Sequence, residues 1–280
     1  MHVDLTQHAR AVSGHVLARG HYATFLTATG AGYSAWNGLA LTRWNADPVE
    51  SGEGFFLYMR DLDSGVFWSL GQQPTLKVAE RYATRFTPDR AEWLRLDDGI
   101  EARLDVCIAP DADLELRRVT LRNCSDRLRR IELTSYAEVV LNVWAVDAAH
   151  PAFSKLFVQT EWVAGSRALL ARRRPRTPEE PTGWLIHALS GDGEIQYETD
   201  RARFIGRGYS RAEPRALVEA EPLSGTVGNV LDPIVSLRRT VELAVNDATQ
   251  ITFLLGAAPE REAALAAAEG YASAAKIEEA

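Results

Sequence analysis

RAEWLRLDDGIEARLDVCI, residues 90–108, decides the fold class. In its second half Ile100, Ala102, Leu104, Val106 and Ile108 alternate with Glu101, Arg103 and Asp105. A period of two sends one set of side chains into a core and the other into solvent, the pattern of an antiparallel strand with one wet face. Asp97-Asp98-Gly99 breaks the alternation, and an Asp-Gly pair between two such runs predicts a tight hairpin turn.

The same signal recurs outward in both directions. ATFLTA (23–28), GFFLYMRD (54–61) and VFWSL (66–70) precede it. LELRRVTLRN (114–123) and LRRIELTSYAEVVL (128–141) come after it, flanking the turn Asn123-Cys124-Ser125-Asp126. RALLARRR (167–174), TGWLIHALS (182–190), ARFIGRG (202–208), VSLRRTVELAV (235–245) and TQITFLLGA (249–257) also read as strands. Many strands joined by polar turns, without alternating helices, predict an all-β chain of antiparallel sheets packed face to face. The strand count exceeds that of an immunoglobulin-size domain, so one large sandwich is expected over 1–257. The tail PEREAALAAAEGYASAAKIEEA (259–280) changes class. Pro259 suits the first turn of a helix, and the segment 258–280, with few large apolar side chains to bury, is expected to be a helical connector or, equally on composition, a peripheral C-terminal helix.

Bulk properties exclude several classes. A net charge of −7 argues against nucleic acid as partner. The two cysteines, Cys107 and Cys124, form no CxxC and read as reduced thiols. No apolar run reaches the roughly 20 residues of a membrane span. MHVDLTQHARAV at the start has no apolar signal-peptide segment, so a cytoplasmic protein, or a cytoplasmic part of a larger membrane protein, is expected.

Candidate functional residues fall in three places. The connection inside SYAEVVLNVWAVDAAHPAFSKLFVQTE (135–161) carries Trp144, Asp147, His150, Ser154 and Lys155. It is longer and chemically richer than a hairpin needs, and long loops on a β scaffold are where binding groups concentrate. Asp147 and His150 are three apart, but a zinc site needs further ligands that the spacing does not supply. An Asp–His pair activating Ser154 lacks a G-x-S-x-G context. The second place is GAGYSAW (30–36), whose Tyr33, Ser34 and Trp36 offer the aromatic and polar mixture a sugar requires. Arg172-Arg173-Arg174-Pro175-Arg176 suits either an anion or pairing with Glu179-Glu180.

The strings GAGYSAW…LTRW, DLELRRVTLRN, LTSYAEVVL, DAAHPAFSKLFVQTE, ETDRARFIGRG and LSGTVGNVLDPI together carry a resemblance. From about Arg19 to Tyr271 the chain resembles the N-terminal β-sandwich domain of the cellobiose and chitobiose phosphorylase family, nearest the phosphorylase-like region of cyclic beta-1,2-glucan synthases. The resemblance implies a galactose-mutarotase-like super-sandwich followed by a helical linker and an (α/α)6 barrel. In that family an Asp of the barrel is the general acid of inverting phosphorolysis, and this chain offers no such barrel.

The expectation is therefore a carbohydrate-associated, non-catalytic domain with no catalytic residue, metal or cofactor of its own. The partners implied are a β-glucan oligosaccharide, an (α/α)6 catalytic domain in the same or a neighbouring chain, and a second copy in a homodimer. The family sandwich loop that reaches a neighbour's acceptor subsite corresponds to Phe153-Ser154-Lys155-Leu156. Ser154 and Lys155 are then acceptor-sugar contacts, with Tyr33, Ser34 and Trp36 on the same domain, and Asp147 and His150 shape the loop. Two alternatives stand beside it: an epimerase-like enzyme using Asp147 and His150, and a purely structural interaction module.

Overall fold

In the computed structural model, which describes residues 2–4, 14–44 and 52–278, the alternating stretch forms the hairpin Arg90–Asp97 and Ile100–Ile108. Asp97 pairs with Ile100 across a two-residue turn. Both turn residues have positive φ, 47° at Asp98 and 73° at Gly99. This turn geometry matches the twist of the flanking strands and requires residues that tolerate a left-handed backbone. Ile100, Ala102, Leu104, Val106 and Ile108 are all buried.

Among the described residues, two nine-stranded sheets build the sandwich. The first runs, in spatial order, His2–Asp4, Arg81–Thr87, Arg90–Asp97, Ile100–Ile108, Leu114–Asn123, Ala248–Ala258, Trp184–Leu189, Ala168–Arg173 and Val158–Val163. The second is organised around the 14-residue strand Arg129–Asn142. Pro233–Leu243 pairs with one of its edges. The other edge takes Phe56–Asp61 along its middle and Leu39–Thr42 at its end. Gly32–Trp36, Tyr22–Thr27 and Gly14–Arg19 continue the sheet outward. The pairings among the described strands are antiparallel. Between the sheets lies a continuous apolar core that includes Trp68, Trp93, Val106, Leu133, Leu185 and Phe253.

Arg129–Asn142 is buried on both faces along most of its length. Ile131, Leu133, Ala137, Val139 and Leu141 enter the inter-sheet core. Its other face is covered: Tyr136 packs with Phe204, Ile205, Ala216 and Leu217. These covering residues belong to two short helices, Arg201–Ile205 and Arg215–Val218. ARFIGRG is thus helical where its sequence reads as a strand. An Asp200 carboxylate oxygen accepts the Ala202 N–H at 2.9 Å and caps the helix, and Gly206, at φ 83°, ends it. Capping chemistry and burial of Phe204 against Tyr136 decide the local structure, because so short an apolar run has no distinguishing period.

The C-terminal segment is helical, as its sequence reads. It forms two helices, Arg261–Gly270 and Ala274–Glu278, and they pack on the outer face of the first sheet. Ala264, Ala268, Tyr271 and Ile277 are buried there with Leu114, Leu116, Ile186 and Leu254. Small alanines let a helix approach a sheet closely, so a sparse apolar stripe still buries area. The Tyr271 hydroxyl donates to Asp111, and Lys276 Nζ lies 2.9 Å from the other Asp111 oxygen. Residues 1, 5–13, 45–51 and 279–280 of the two expected segments lie outside the described residues.

Candidate functional site

The strand Arg129–Asn142 changes register near its end. Val139 pairs with Thr42 and Asn142 with Ala40, with an irregularity between them. Leu141 takes a φ of 53° there. Such a bulge bends the strand and turns the chain in a new direction. The chain then leaves the sheet as two helical turns, Trp144–Ala149 and Pro151–Lys155, before re-entering as Val158–Val163. Pro151 at the first helical position has the φ a helix start requires and no N–H to leave unpaired. The expected loop is therefore an ordered excursion.

Three polar contacts fix its base. Asn142 Nδ2 donates to Ser154 Oγ at 2.9 Å, and Asn142 Oδ1 accepts the Val143 N–H. Arg43 Nη1 donates to Asp147 Oδ2 at 2.5 Å. Lys155 Nζ pairs with Asp232 Oδ1 at 2.6 Å. Beneath them lies Glu138, a buried carboxylate that accepts from Arg43 Nε at 3.1 Å, Arg201 Nε at 2.9 Å and the Tyr136 hydroxyl at 2.9 Å. Arg211 adds a contact at 3.4 Å and also reaches Glu53 at 3.2 Å. Burial alone would raise the Glu138 pKa, but Arg201, Arg211 and Lys155 outweigh it and hold the carboxyl below its ordinary value. Glu53 moves the other way, pushed up by burial and by the Glu138 charge, with Arg211 offsetting part of the rise.

The outward side of the excursion is apolar. Val143, Trp144, Val146, Phe153 and Leu156 are each 40–51% exposed. Phe153 packs edge-on against Phe157 with centroids 5.1 Å apart, and the Arg176 guanidinium lies 5.9 Å from its ring. Five large apolar side chains this exposed within fourteen residues are more than a loop that only connects two strands needs.

Asp147, Ser154 and Lys155 are brought together at this base, whereas His150 is exposed between the two helices. Among the described residues no hydrogen bond or ion pair joins Asp147 to His150. The Asp147 carboxylate is held by Arg43, and the Ser154 hydroxyl accepts from an amide, not a base. This arrangement does not make an acid–base pair or an activated serine. Ser154 is only 4% exposed, so its hydroxyl is engaged in holding the excursion.

Tyr33, Ser34 and Trp36 do not share one surface. Ser34 is buried and its hydroxyl donates to Glu115 at 2.7 Å. Trp36 is 5% exposed, donates from Nε1 to Asp113 at 2.8 Å, and lies against Gly183, where an added Cβ would meet its ring at 2.6 Å. Strand alternation turns Tyr33 to the opposite face. There it joins Phe25 and Trp44, with ring centroids 5.4–6.1 Å apart, as a half-buried aromatic shelf. Arg173 and Arg176 both pair with Glu180, at 2.8 and 2.9 Å.

Arg43, Glu53, Glu138 and Asp232 are the members of this site that sequence reasoning missed. One signal was present: Glu138 is a lone carboxylate in YAEVVL, a run otherwise apolar on both faces. A charge in such a place needs partners. Among the described residues no group of three or more His, Cys, Asp or Glu side chains is placed to hold a metal ion. No helix among them is long and apolar enough to cross a membrane.

Residues 1–274 match the sequence profile of the glycosyl hydrolase 94 supersandwich domain. The chain is 40% identical over 260 residues to the cyclic beta-(1,2)-glucan synthase NdvB of Rhizobium meliloti (strain 1021), a match covering 91% of this chain and 9% of that protein. It is 24% identical over 240 residues to an N,N'-diacetylchitobiose phosphorylase of Vibrio proteolyticus, covering 84% and 29%. A solved structure provisionally assigned as a kojibiose phosphorylase from the human microbiome superposes with a TM-score of 0.55 at 11% identity, covering 94% of this chain and 34% of that one. That last likeness shows the fold alone. The chain spans less than a third of the length of the curated relatives it matches.

Proposed function

This chain belongs to the glycosyl hydrolase 94 supersandwich family, and on that footing we propose that it is the non-catalytic sandwich of a β-glucan phosphorylase or cyclic glucan synthase. In this reading the excursion 143–156 docks against the (α/α)6 catalytic barrel of the same or a neighbouring subunit. One observation carries it: an excursion whose base is locked by ion pairs while Trp144, Phe153 and Leu156 face outward. A loop that served only to connect two strands would bury those side chains or replace them with polar ones.

The chemistry supports an accessory role. Inversion at a glycosidic bond needs an acid and an opposed second group, both accessible to the sugar. Around the excursion Glu138 and Asp147 are buried in arginine pairs, and Asp232 is paired with Lys155 and Arg201. Lys155, with its side chain 17% exposed beside Asp232, is the member of the base that can still offer a hydrogen bond to an acceptor sugar. Ser154 acts by positioning it.

The test is a graft. The matching region of Rhizobium meliloti NdvB is replaced by this chain, unaltered or carrying Trp144→Ser and Phe153→Ser together, and cyclic glucan formation is measured. The docking reading expects the unaltered graft to work and the double variant to lose at least tenfold, with equal expression. Equal activity of the two grafts would overturn it.

A further inference from the structure

A polar cleft lies at the outer edge of the first sheet, on the strand that follows the excursion, where Thr160 bridges Gly228. We propose that the cleft between the strand Val158–Val163 and the start of the helix Arg261–Gly270 binds a neutral pyranoside of a glucan chain, as an accessory saccharide site. The proposal rests on the carbohydrate-associated reading of the domain.

The cleft has a volume of about 400 Å³ and is lined by Gln159, Glu161, Arg172, Trp184, Asn229 and Arg261. That size lies within the range of roughly 300–1,000 Å³ typical of small-molecule sites. Trp184 is half-buried, and the planar Arg172 guanidinium lies 5.2 Å from its ring centroid. A guanidinium stacked on an indole extends the flat surface against which the CH face of a sugar can rest.

The polar groups are already arranged in a row. Arg172 Nε and Nη2 donate to Gln159 Oε1 at 3.2 and 3.1 Å, and Gln159 Nε2 donates to Asn229 Oδ1 at 2.9 Å. Arg261 Nε donates to Glu161 Oε1 at 2.6 Å. Among the described residues this leaves the Asn229 amide N–H groups and the second Glu161 oxygen without an intramolecular partner. One set donates and the other accepts. A pair of neighbouring sugar hydroxyls can meet both at once, because each hydroxyl is donor and acceptor. Preorganised polar groups lose little entropy on binding.

The charge distribution selects a neutral ligand over an anion. Arg261 is neutralised by Glu161, and the donors of Arg172 are engaged by Gln159. A phosphate would have to displace Glu161 from Arg261 or face its charge across the cleft.

The experiment is a nuclear magnetic resonance titration of the chain, following its side-chain amide signals, with a β-1,2-linked glucotriose and separately with inorganic phosphate. The expected result is millimolar binding of the glucotriose that shifts the Asn229 and Gln159 amide signals. Asn229→Ala and Gln159→Ala, both at exposed or half-exposed positions, should each weaken it at least fivefold with an unchanged fold. Tighter binding of phosphate than of the trisaccharide would overturn the proposal. Trisaccharide binding that survives both substitutions but is lost in Tyr33→Ala would also overturn it, moving the sugar to the aromatic shelf. No binding at all would overturn it too, while leaving the NdvB graft result to decide the docking reading independently.

Discussion

Ser135 and His187 join the two sheets through the middle of the apolar core, with Ser135 Oγ 2.7 Å from His187 Nε2. Ser135 belongs to Arg129–Asn142 in one sheet and His187 to Trp184–Leu189 in the other. His187 Nδ1 lies 2.8 Å from the Leu254 carbonyl, which can only accept. The proton is therefore on Nδ1, and Nε2 accepts from the serine hydroxyl. The pair has the composition of a nucleophile and base, yet both residues are 0% exposed and no substrate can reach them. It is a structural bridge.

That bridge makes stability depend on pH. Burial lowers the His187 pKa from its ordinary 6.5 to about 4. Between those values the unfolded chain takes up a proton that the folded chain refuses, so stability is full above the upper value and falls as pH drops towards the lower. A shift of this size corresponds to about 3 kcal/mol across the window. Urea unfolding at pH 7 and pH 4.5 measures it. His187→Phe, which keeps the packing against Phe55 and Phe253, should flatten the slope. An unchanged slope in that variant would refute the assignment.

Glu138→Gln should be among the most destabilising single changes at the excursion. It removes the anion shared by Arg43, Arg201 and Arg211 and leaves three guanidinium groups in mutual repulsion. Breaking one partner of a buried ion pair costs about 3–5 kcal/mol. The urea midpoint reads this loss, and a midpoint equal to that of the parent would refute the role given to Glu138.

Asp147→Ala should act more locally. It removes one anchor of the excursion while Arg43 keeps Glu138 as a partner. The expected loss is about 2 kcal/mol, the scale of a charge-assisted hydrogen bond. Hydrogen–deuterium exchange should quicken over 144–156 and stay slow over Ile131–Val139. Uniform acceleration along both would mean that the anchor supports the sandwich, not the excursion.

Gly99→Ala tests the turn that fixes the first hairpin. Its φ of 73° strains any residue with a Cβ, and an added Cβ would approach the Ser125 side chain to 3.0 Å. A loss of about 1 kcal/mol or more is expected in thermal unfolding. An alanine variant as stable as the parent would show that the turn relaxes to another form.

The sandwich was legible because period-two alternation and turn residues are local signals. Ile100 to Ile108 announces its buried face with no knowledge of its neighbours. The helix Arg201–Ile205 was not legible, because its apolar residues are positioned by Tyr136, more than sixty residues away in the chain. The candidate site was half legible. Asp147, Ser154 and Lys155 stand close together in sequence, within one connection between two strands. Their partners Arg43 and Asp232 come from distant segments and are ordinary charged residues until the fold gathers them. Trp36 and Tyr33 show the converse: near neighbours in one strand that alternation sends to opposite faces, so a shared surface for them was never available.

The three contacts Asn142–Ser154, Arg43–Asp147 and Lys155–Asp232 divide the excursion into a fixed root and an interchangeable tip. All three are polar and lie outside the inter-sheet core, and none of them involves the half-exposed Trp144, Val146 or Phe153 side chains. Those outward side chains can therefore be exchanged while the root contacts stay in place. Loop exchange between relatives that retain the six root residues should leave the sandwich folded.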